Sequence, residues 1–271
     1  MARSRALLTE AQWQKIAPLL PKPPQHRQGG RPWIDNRRVL EGILWILRSG
    51  ARWQDLPEKF PHPSTCWRRL RDWEERGVWL NIWRTFLSEL NERQQLQWSE
   101  SFLDGSFAPA KKRGAGVGKT KRGKGTKWMV VVDGRGLPLG NYLHSASPAE
   151  VRLAETTLAA IRVGRIHHAG RPRQKPMRVI ADKAYDSDPL RDRLRRRGIE
   201  LICPHKKNRV RAATQDGRAL RRYQRRWIVE RTNAWLGNFR RLVVRYDRSL
   251  KIYGAFFHIA CFMIVLRRVV Q

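Results

Sequence analysis

Lys127-Trp-Met-Val-Val-Val132 and Leu137-Pro-Leu-Gly-Asn-Tyr-Leu-His144 stand on either side of Asp133-Gly134-Arg135-Gly136. Two apolar runs around an Asp-Gly turn read as a β-hairpin. Upstream, Ser101-Phe102-Leu103 is a short apolar strand. Downstream, Ser147-Pro148-Ala149-Glu150 offers a cap, a proline in the first turn and an acid three residues after the cap, which predicts a helix to about Val163. Arg165–Lys175 reads as a basic loop and Arg178–Ala181 as a strand. Asp188-Pro189 opens a helix that Gly198 ends, and Ile199–Cys203 is again strand-like. A long helical stretch begins near Gly217–Tyr223. Strands first, then strands alternating with helices, predict a mixed α/β domain.

The residues before this domain read differently. Nine of the twelve tryptophans precede residue 101, and the first hundred residues carry 17 Lys and Arg against 11 Asp and Glu, a net of +6. The remainder carries 39 against 12, a net of +27. The join falls near residues 91–100, giving an all-helical, Trp-rich region 1–95 and an α/β domain 96–271. Thr9 caps a helix carrying Trp13, Ile16, Ala17 and Leu20, stopped by Pro21. Pro21–Pro32 reads as a linker or arm. Asp35 caps a second helix that Gly50 ends. Ser64 caps a third with Trp67, Leu70 and Trp73 inward, and Trp79 to Leu90 continue into a fourth. In the third helix Arg68, Arg69 and Arg71 fall off the apolar stripe. They suit a DNA groove, against the plainer alternative of a solvated face. Ser49–Pro63 is too long for the turn of a tight helix-turn-helix.

The whole chain of 271 residues has a formal charge of +33 and a pI near 11.5. Such a charge repels itself unless a polyanion neutralises it, so nucleic acid is the first candidate partner and a membrane surface the second. The most apolar run, Ile252 to Leu266, is short for a span of roughly 20 residues, and a buried helix is expected. The start, MARSRALLTE, has no apolar signal segment. Cys66, Cys203 and Cys261 are too scattered for a disulfide framework or a zinc pair and fit a reducing cytosol. Arg113-Gly-Ala-Gly-Val-Gly118-Lys119-Thr120 nearly spells a phosphate-binding loop. Its first glycine is replaced by Arg113 and neither strand nor helix flanks it, so no nucleotide is expected. Lys119 instead reads as part of a flexible Gly/Lys loop on a DNA backbone. His144 and His167-His168 lack metal-ligand spacing.

Only 12 acids follow residue 100. Asp104 and Asp182 each end a short apolar strand, and Glu230 lies in the helical segment Tyr223–Leu236. Carboxylates brought together repel unless cations lie between them. Mg²⁺ is the natural partner, with Mn²⁺ as its substitute, and a pair of such ions suits phosphodiester chemistry. Taken singly, Asp104 is equally a turn residue, Asp182 competes with Asp186 and Asp188, and Glu230 could pair with Arg226 or Arg231.

Together the motifs resemble the bacterial insertion-sequence transposases of the DDE type. Tyr223-Gln-Arg-Arg226-Trp-Ile-Val-Glu230 resembles their Y-x2-R-x3-E signature, and Asp182-Lys183-Ala-Tyr185-Asp186-Ser187 their second-aspartate segment. Asp104-Gly105-Ser106 resembles the first. Leu8 to Pro21 and Gly50 to Pro57 resemble their N-terminal part, so the likeness covers nearly the whole chain. It implies a ribonuclease-H-like mixed sheet with flanking helices and a triad of Asp104, Asp182 and Glu230 holding two Mg²⁺ or Mn²⁺ ions. It also implies cleavage of double-stranded DNA at transposon ends, joining of the freed 3′-OH to target DNA, a homodimer, and a place at the bacterial nucleoid. Tyr223 and Arg226 become accessory residues near DNA phosphates, and Lys183 a further DNA contact. At about 100° per residue, Tyr223, Arg226 and Glu230 lie within roughly 60° of one helix face. The signature's closing Lys is Gly237 here; Arg241, or Arg240, is the candidate replacement. Three rivals stay open: a non-catalytic DNA-binding protein or repressor, a nuclease or resolvase that never joins strands, and an RNA-binding ribosomal component.

Overall fold

Thr9 accepts from the Gln12 backbone while the Gln12 side chain accepts from Thr9, so a reciprocal cap starts α1, Glu10–Ile16. Asp35 caps α2, Asn36–Ser49, by accepting from the Arg38 backbone, and Gly50 ends it at φ +73°. α3, Pro63–Glu75, is capped by His62 rather than Ser64, because Pro63 takes the first helical position. α4 spans Val78–Glu92. The computed structural model describes residues 7–22, 32–166 and 170–271. Most of the predicted arm and the His167-His168 pair lie outside the described residues.

The second region runs β1 Ser101–Pro109, β2 Gly118–Thr120, β3 Gly123–Asp133, β4 Pro138–Ser145, α5 Glu150–Ala159, β5 Arg178–Ile180, α6 Asp188–Arg196 and β6 Glu200–Ile202. Then come α7 Gly217–Leu220, a 3₁₀ segment Arg221–Arg226, α8 Trp227–Gly237, α9 Arg240–Val243 and α10 Leu250–Val269. β1 is central: it pairs antiparallel with β3 and parallel with β5. β4 lies beyond β3 and β6 beyond β5, while β2 pairs with the first residues of β3. This is the ribonuclease-H-like mixed sheet that the sequence leads one to expect.

The hairpin turn is built on Asp133. Its buried carboxylate accepts from the backbones of Gln97, Arg135 and Leu137 at 2.8–3.0 Å, and burial pushes its pKa up against those bonds.

Three local expectations are corrected. Residues 113–125 are not a flexible loop, because β2 folds back on β3 and sets Lys119 opposite Lys124. Ser147 does not cap α5; its hydroxyl donates to the Lys119 carbonyl at 3.3 Å, and the helix starts at Glu150. That helix ends at Ala159, short of Val163. The helix expected over Tyr223–Leu236 is a 3₁₀ segment followed by α8.

α10 is apolar on all sides and buried along nearly its whole length, as a core helix must be. By length and composition it could cross a membrane, yet it sits inside the fold. α3 and α4 pack on one side of it and β4 on another. Phe262 stacks on Trp79 at 6.2 Å and meets Phe86 at 6.3 Å, while Phe257 meets Trp128 at 5.3 Å. Trp79 and Trp83 of the first region are thus core residues shared with the second.

Candidate active site

β1 and β5 pair in parallel, Ser101 with Val179 and Phe102 with Ile180. That offset equals the sequence separation of Asp104 and Asp182. Carried on by two residues, the register sets the two aspartates level on neighbouring strands, which run about 4.8 Å apart. Asp182 leaves β5 and caps the 3₁₀ turn Lys183–Tyr185, accepting from the Ala184 backbone at 2.8 Å. Tyr185 pins that turn: it is fully buried and its hydroxyl donates to Glu150 at 3.2 Å.

Glu230 arrives on α8, which packs against β1. The lead-in to α8 is tied to the same strand by Glu100, a buried carboxylate just before β1 that pairs with Arg222 and with Arg225. Arg226 then reaches over the sheet. Its guanidinium donates to Asp104 at 3.1 Å and to Glu230 at 2.5 Å. Asn233, one turn on, donates from Nδ2 to the other Asp104 oxygen at 2.8 Å.

Burial dominates the electrostatics of Asp104 and pushes its pKa up to about 6. Arg226 pulls it back down, and Glu150 beneath the strand adds to the rise. Gly105 makes room for that acid, since a Cβ there would strike the Glu150 carboxylate and the Met129 sulfur. Tyr185 is pushed well up by burial and by Glu150, Asp104 and Asp182 together. Arg226 likewise feels Asp104, Glu230 and Asp182, which raise its pKa although burial opposes them. Asp104 and Glu230 therefore share one side-chain cation, and Asp182 acts on Arg226 and Tyr185 only through its charge. Among the described residues no group of three or more His, Cys, Asp or Glu side chains is arranged to hold a metal ion.

Residues 99–266 match the family model described as transposase DDE domain, which covers well over half of the chain. The chain belongs to the DDE transposases. Residues 8–83 of this DNA transposase match a second model, described as putative transposase of IS4/5 family. It is 39% identical over 150 residues to the putative transposase for insertion sequence element IS402 from Burkholderia cepacia, covering 54% of this chain and 67% of that one. It is 38% identical over 121 residues to an uncharacterized 16.2 kDa protein of the same insertion element, covering 43% and 82%. A piggyBac transposase, solved by cryo-EM as a synaptic complex with hairpin DNA, shares the fold at a TM-score of 0.53 and 11% identity, over 96% of this chain and 70% of that one.

Within the transposase the other expected site residues scatter. Lys183 is exposed beside Asp182, Lys119 is exposed on β2, and Tyr223 is half-buried against the core. Arg226 faces the acids rather than open solvent. Arg69 is not on a groove-facing surface. Its guanidinium lies 3.5 Å from the Trp33 ring centre and donates to Asn36 and to the Ile34 carbonyl, leaving it 7% exposed. Arg71 pairs with Asp72, whereas Arg68 stays outward with its Nε on the Ser64 carbonyl at 3.3 Å and, among the described residues, no acidic partner. Arg241 is corrected too. The backbone breaks at Phe239, so α8 does not extend to it. It is buried, paired with Asp247 at 3.0 Å and bonded to the Ala51 carbonyl.

Sequence reasoning missed Glu150, Tyr185, Asn233 and Glu100. Glu150 had a signal, but a misleading one: three residues after Ser147 it imitates a capping box.

Proposed function

We propose that this transposase cleaves DNA at the ends of its element and joins the freed 3′-hydroxyl to target DNA, with Asp104, Asp182 and Glu230 holding two divalent metal ions. The observation that carries this reading is the Arg226 guanidinium bonded to both Asp104 and Glu230, with Asp182 just past the strand that pairs in parallel with the strand of Asp104. The donor set fits a hard cation. It is all oxygen, its central carboxylate is buried enough that the bare anion is disfavoured, and the neighbouring Asn233 Oδ1 is buried without a partner. Mg²⁺ suits such donors, and Mn²⁺ shares their preference. When bound, the ions would supply an activated water and stabilise the departing 3′-oxygen.

The rest falls to the chain. β1 holds Asp104 on a strand, and the turn that follows β5 holds Asp182. Glu230, whose side chain is 56% exposed, is the carboxylate with freedom to swing. Arg226 neutralises the acids in the free protein and turns to DNA phosphate when metal takes them over. The net +27 of residues 101–271, with Lys119 and Lys183 outward, supplies affinity for double-stranded DNA at the element ends and at the target. Residues 1–95 and 96–271 act as a helical DNA-binding region and a catalytic domain. Two copies act together at the bacterial nucleoid, one for each element end.

Asp182→Asn and Glu230→Gln are expected to abolish end cleavage in Mg²⁺ or Mn²⁺ while leaving gel-shift affinity within about twofold. Metal-dependent cleavage by either variant would remove it from the triad. A strand-joining assay separates transfer from simple nuclease action.

A further inference from the structure

α8 carries two functional stripes. Arg226, at the cap of the helix, and Asn233 bond to Asp104, and Glu230 between them bonds to Arg226. Trp227, Arg231 and Trp235, spaced four residues apart, form a second stripe about 100° or more further round the helix. That second stripe, the hairpin turn at Gly134–Leu137 and the end of α10 enclose a cavity of about 550 Å³. The catalytic acids do not reach it.

Its chemistry is unusual for an unliganded hollow. Arg135, Arg231, Arg267 and Arg268 line it, and among the described residues no Asp or Glu does. Arg135, Arg267 and Arg268 make no ion pair among the described residues, although Arg268 donates to the Gln271 side chain at 3.0 Å; Arg225, which also lines the hollow, is paired with Glu100. The Arg231 guanidinium lies 4.9 Å from the Trp227 ring centre and 4.7 Å from that of Trp235, and its Nε is buried without a partner. Trp227 itself is 53% exposed, one of the few large aromatic faces the fold leaves open. Uncompensated guanidinium groups call for an anion, and an open indole calls for a flat ring. A nucleotide unit has both. A duplex hides its base faces in its own stack and is too wide for a hollow suited to a ligand of small-molecule size, so the strand must be unpaired.

We infer that this cavity binds an unpaired segment of DNA strand, with a base on Trp227 and phosphates on Arg135, Arg267 and Arg268. The inference rests on the reading of the chain as a transposase acting on DNA, and it adds a second contact behind the catalytic helix. Base stacking on aromatic side chains tolerates any sequence and responds sharply to removal of the ring.

The test uses the full chain, a fluorescein-labelled 12-nucleotide single strand and a 20-base-pair duplex, both followed by anisotropy. Trp227→Ala should weaken the single strand about 5- to 150-fold and leave the duplex within about twofold. Trp227→Phe, which keeps a ring, should recover most of the loss. Arg267→Gln with Arg268→Gln should lower the salt dependence of single-strand binding by about one to two phosphate contacts. Trp227 is half-exposed, so its removal opens no core cavity, and an unchanged melting temperature confirms this. Equal losses for strand and duplex, or none for the strand, would overturn the inference. Failure of the wild type to bind either DNA would count against the transposase reading itself, not merely against this cavity.

Discussion

Replacing Asp104 by Asn should stabilise the metal-free protein while destroying its chemistry. The carboxyl ionises near 6 in the fold against an ordinary value of 3.8. The sign follows from proton binding: the folded chain holds this proton more tightly than the unfolded one, so ionisation opposes folding. The penalty is absent below about pH 4, grows between pH 4 and 6, and is complete above 6. At about 1.36 kcal/mol per tenfold it reaches about 3 kcal/mol, and the side chain is only 13% exposed, so solvent screening removes little. Asn mimics the neutral acid. It also finds a partner, since the unbonded Asn233 Oδ1 can accept from its new amide once Asn233 turns over. A net gain of about 2 kcal/mol at pH 8 corresponds to a rise in melting temperature of about 4–8 °C for a chain of this size. The assay is a thermal melt of both proteins in EDTA at pH 8 and pH 4.5, with the difference vanishing at the lower pH. In Mg²⁺ at ten times its dissociation constant the wild type alone gains about 1.4 kcal/mol, so the gap narrows. An Asp104→Asn protein that melts at or below the wild type at pH 8 would refute the reasoning.

Asp186 is the opposite case. Burial pushes its pKa up, but bonds from the Lys206 backbone, Arg191 and His205 outweigh that and bring it to about 2. Asp186→Asn should cost about 2–3 kcal/mol near neutrality, measured by urea unfolding, with the deficit shrinking as pH falls from about 4 towards 2. Arg69→Ala should lower stability by about 2–4 kcal/mol by unpacking Trp33 and stranding Asn36, yet leave the salt slope of DNA binding unchanged. Arg68→Ala should do the reverse, and a swapped outcome would restore Arg69 to the DNA surface. Arg241→Gln leaves Asp247 buried and unpaired, so it should lower the melting temperature without changing cleavage per folded molecule, as an activity assay normalised to the folded fraction would show.

What could be read from the sequence was what local pattern controls. The Asp133-Gly134 hairpin, the Thr9 and Asp35 caps and the place of Asp182 just past a strand depend on residues a few places apart, whereas Asp104, expected at a strand end, lies in the middle of β1. The errors came where a distant partner decides. Arg69 looked solvated because a helical projection sees only its own helix, and Trp33, which covers it, precedes another. Arg241 was placed on the signature face by extending α8, although Gly237 is itself a common helix terminator. Glu150 was assigned to a cap by spacing, and its partner Tyr185 lies 35 residues away. Arg226 was read as an accessory residue near DNA phosphates. Nothing in its neighbours reveals that it turns inward to Asp104, 122 residues earlier.

The placing of α10 bears on how the protein is made. A ribosome delivers the chain from the N-terminus, so α3 and α4 emerge long before the helix that covers Trp79 and Phe86. Until then these aromatic faces have only one another, and the nascent chain exposes a greasy surface for most of its synthesis. A chain ending before Leu250 would lack that cover and leave the faces of Trp79 and Phe86 that meet Phe262 open to water.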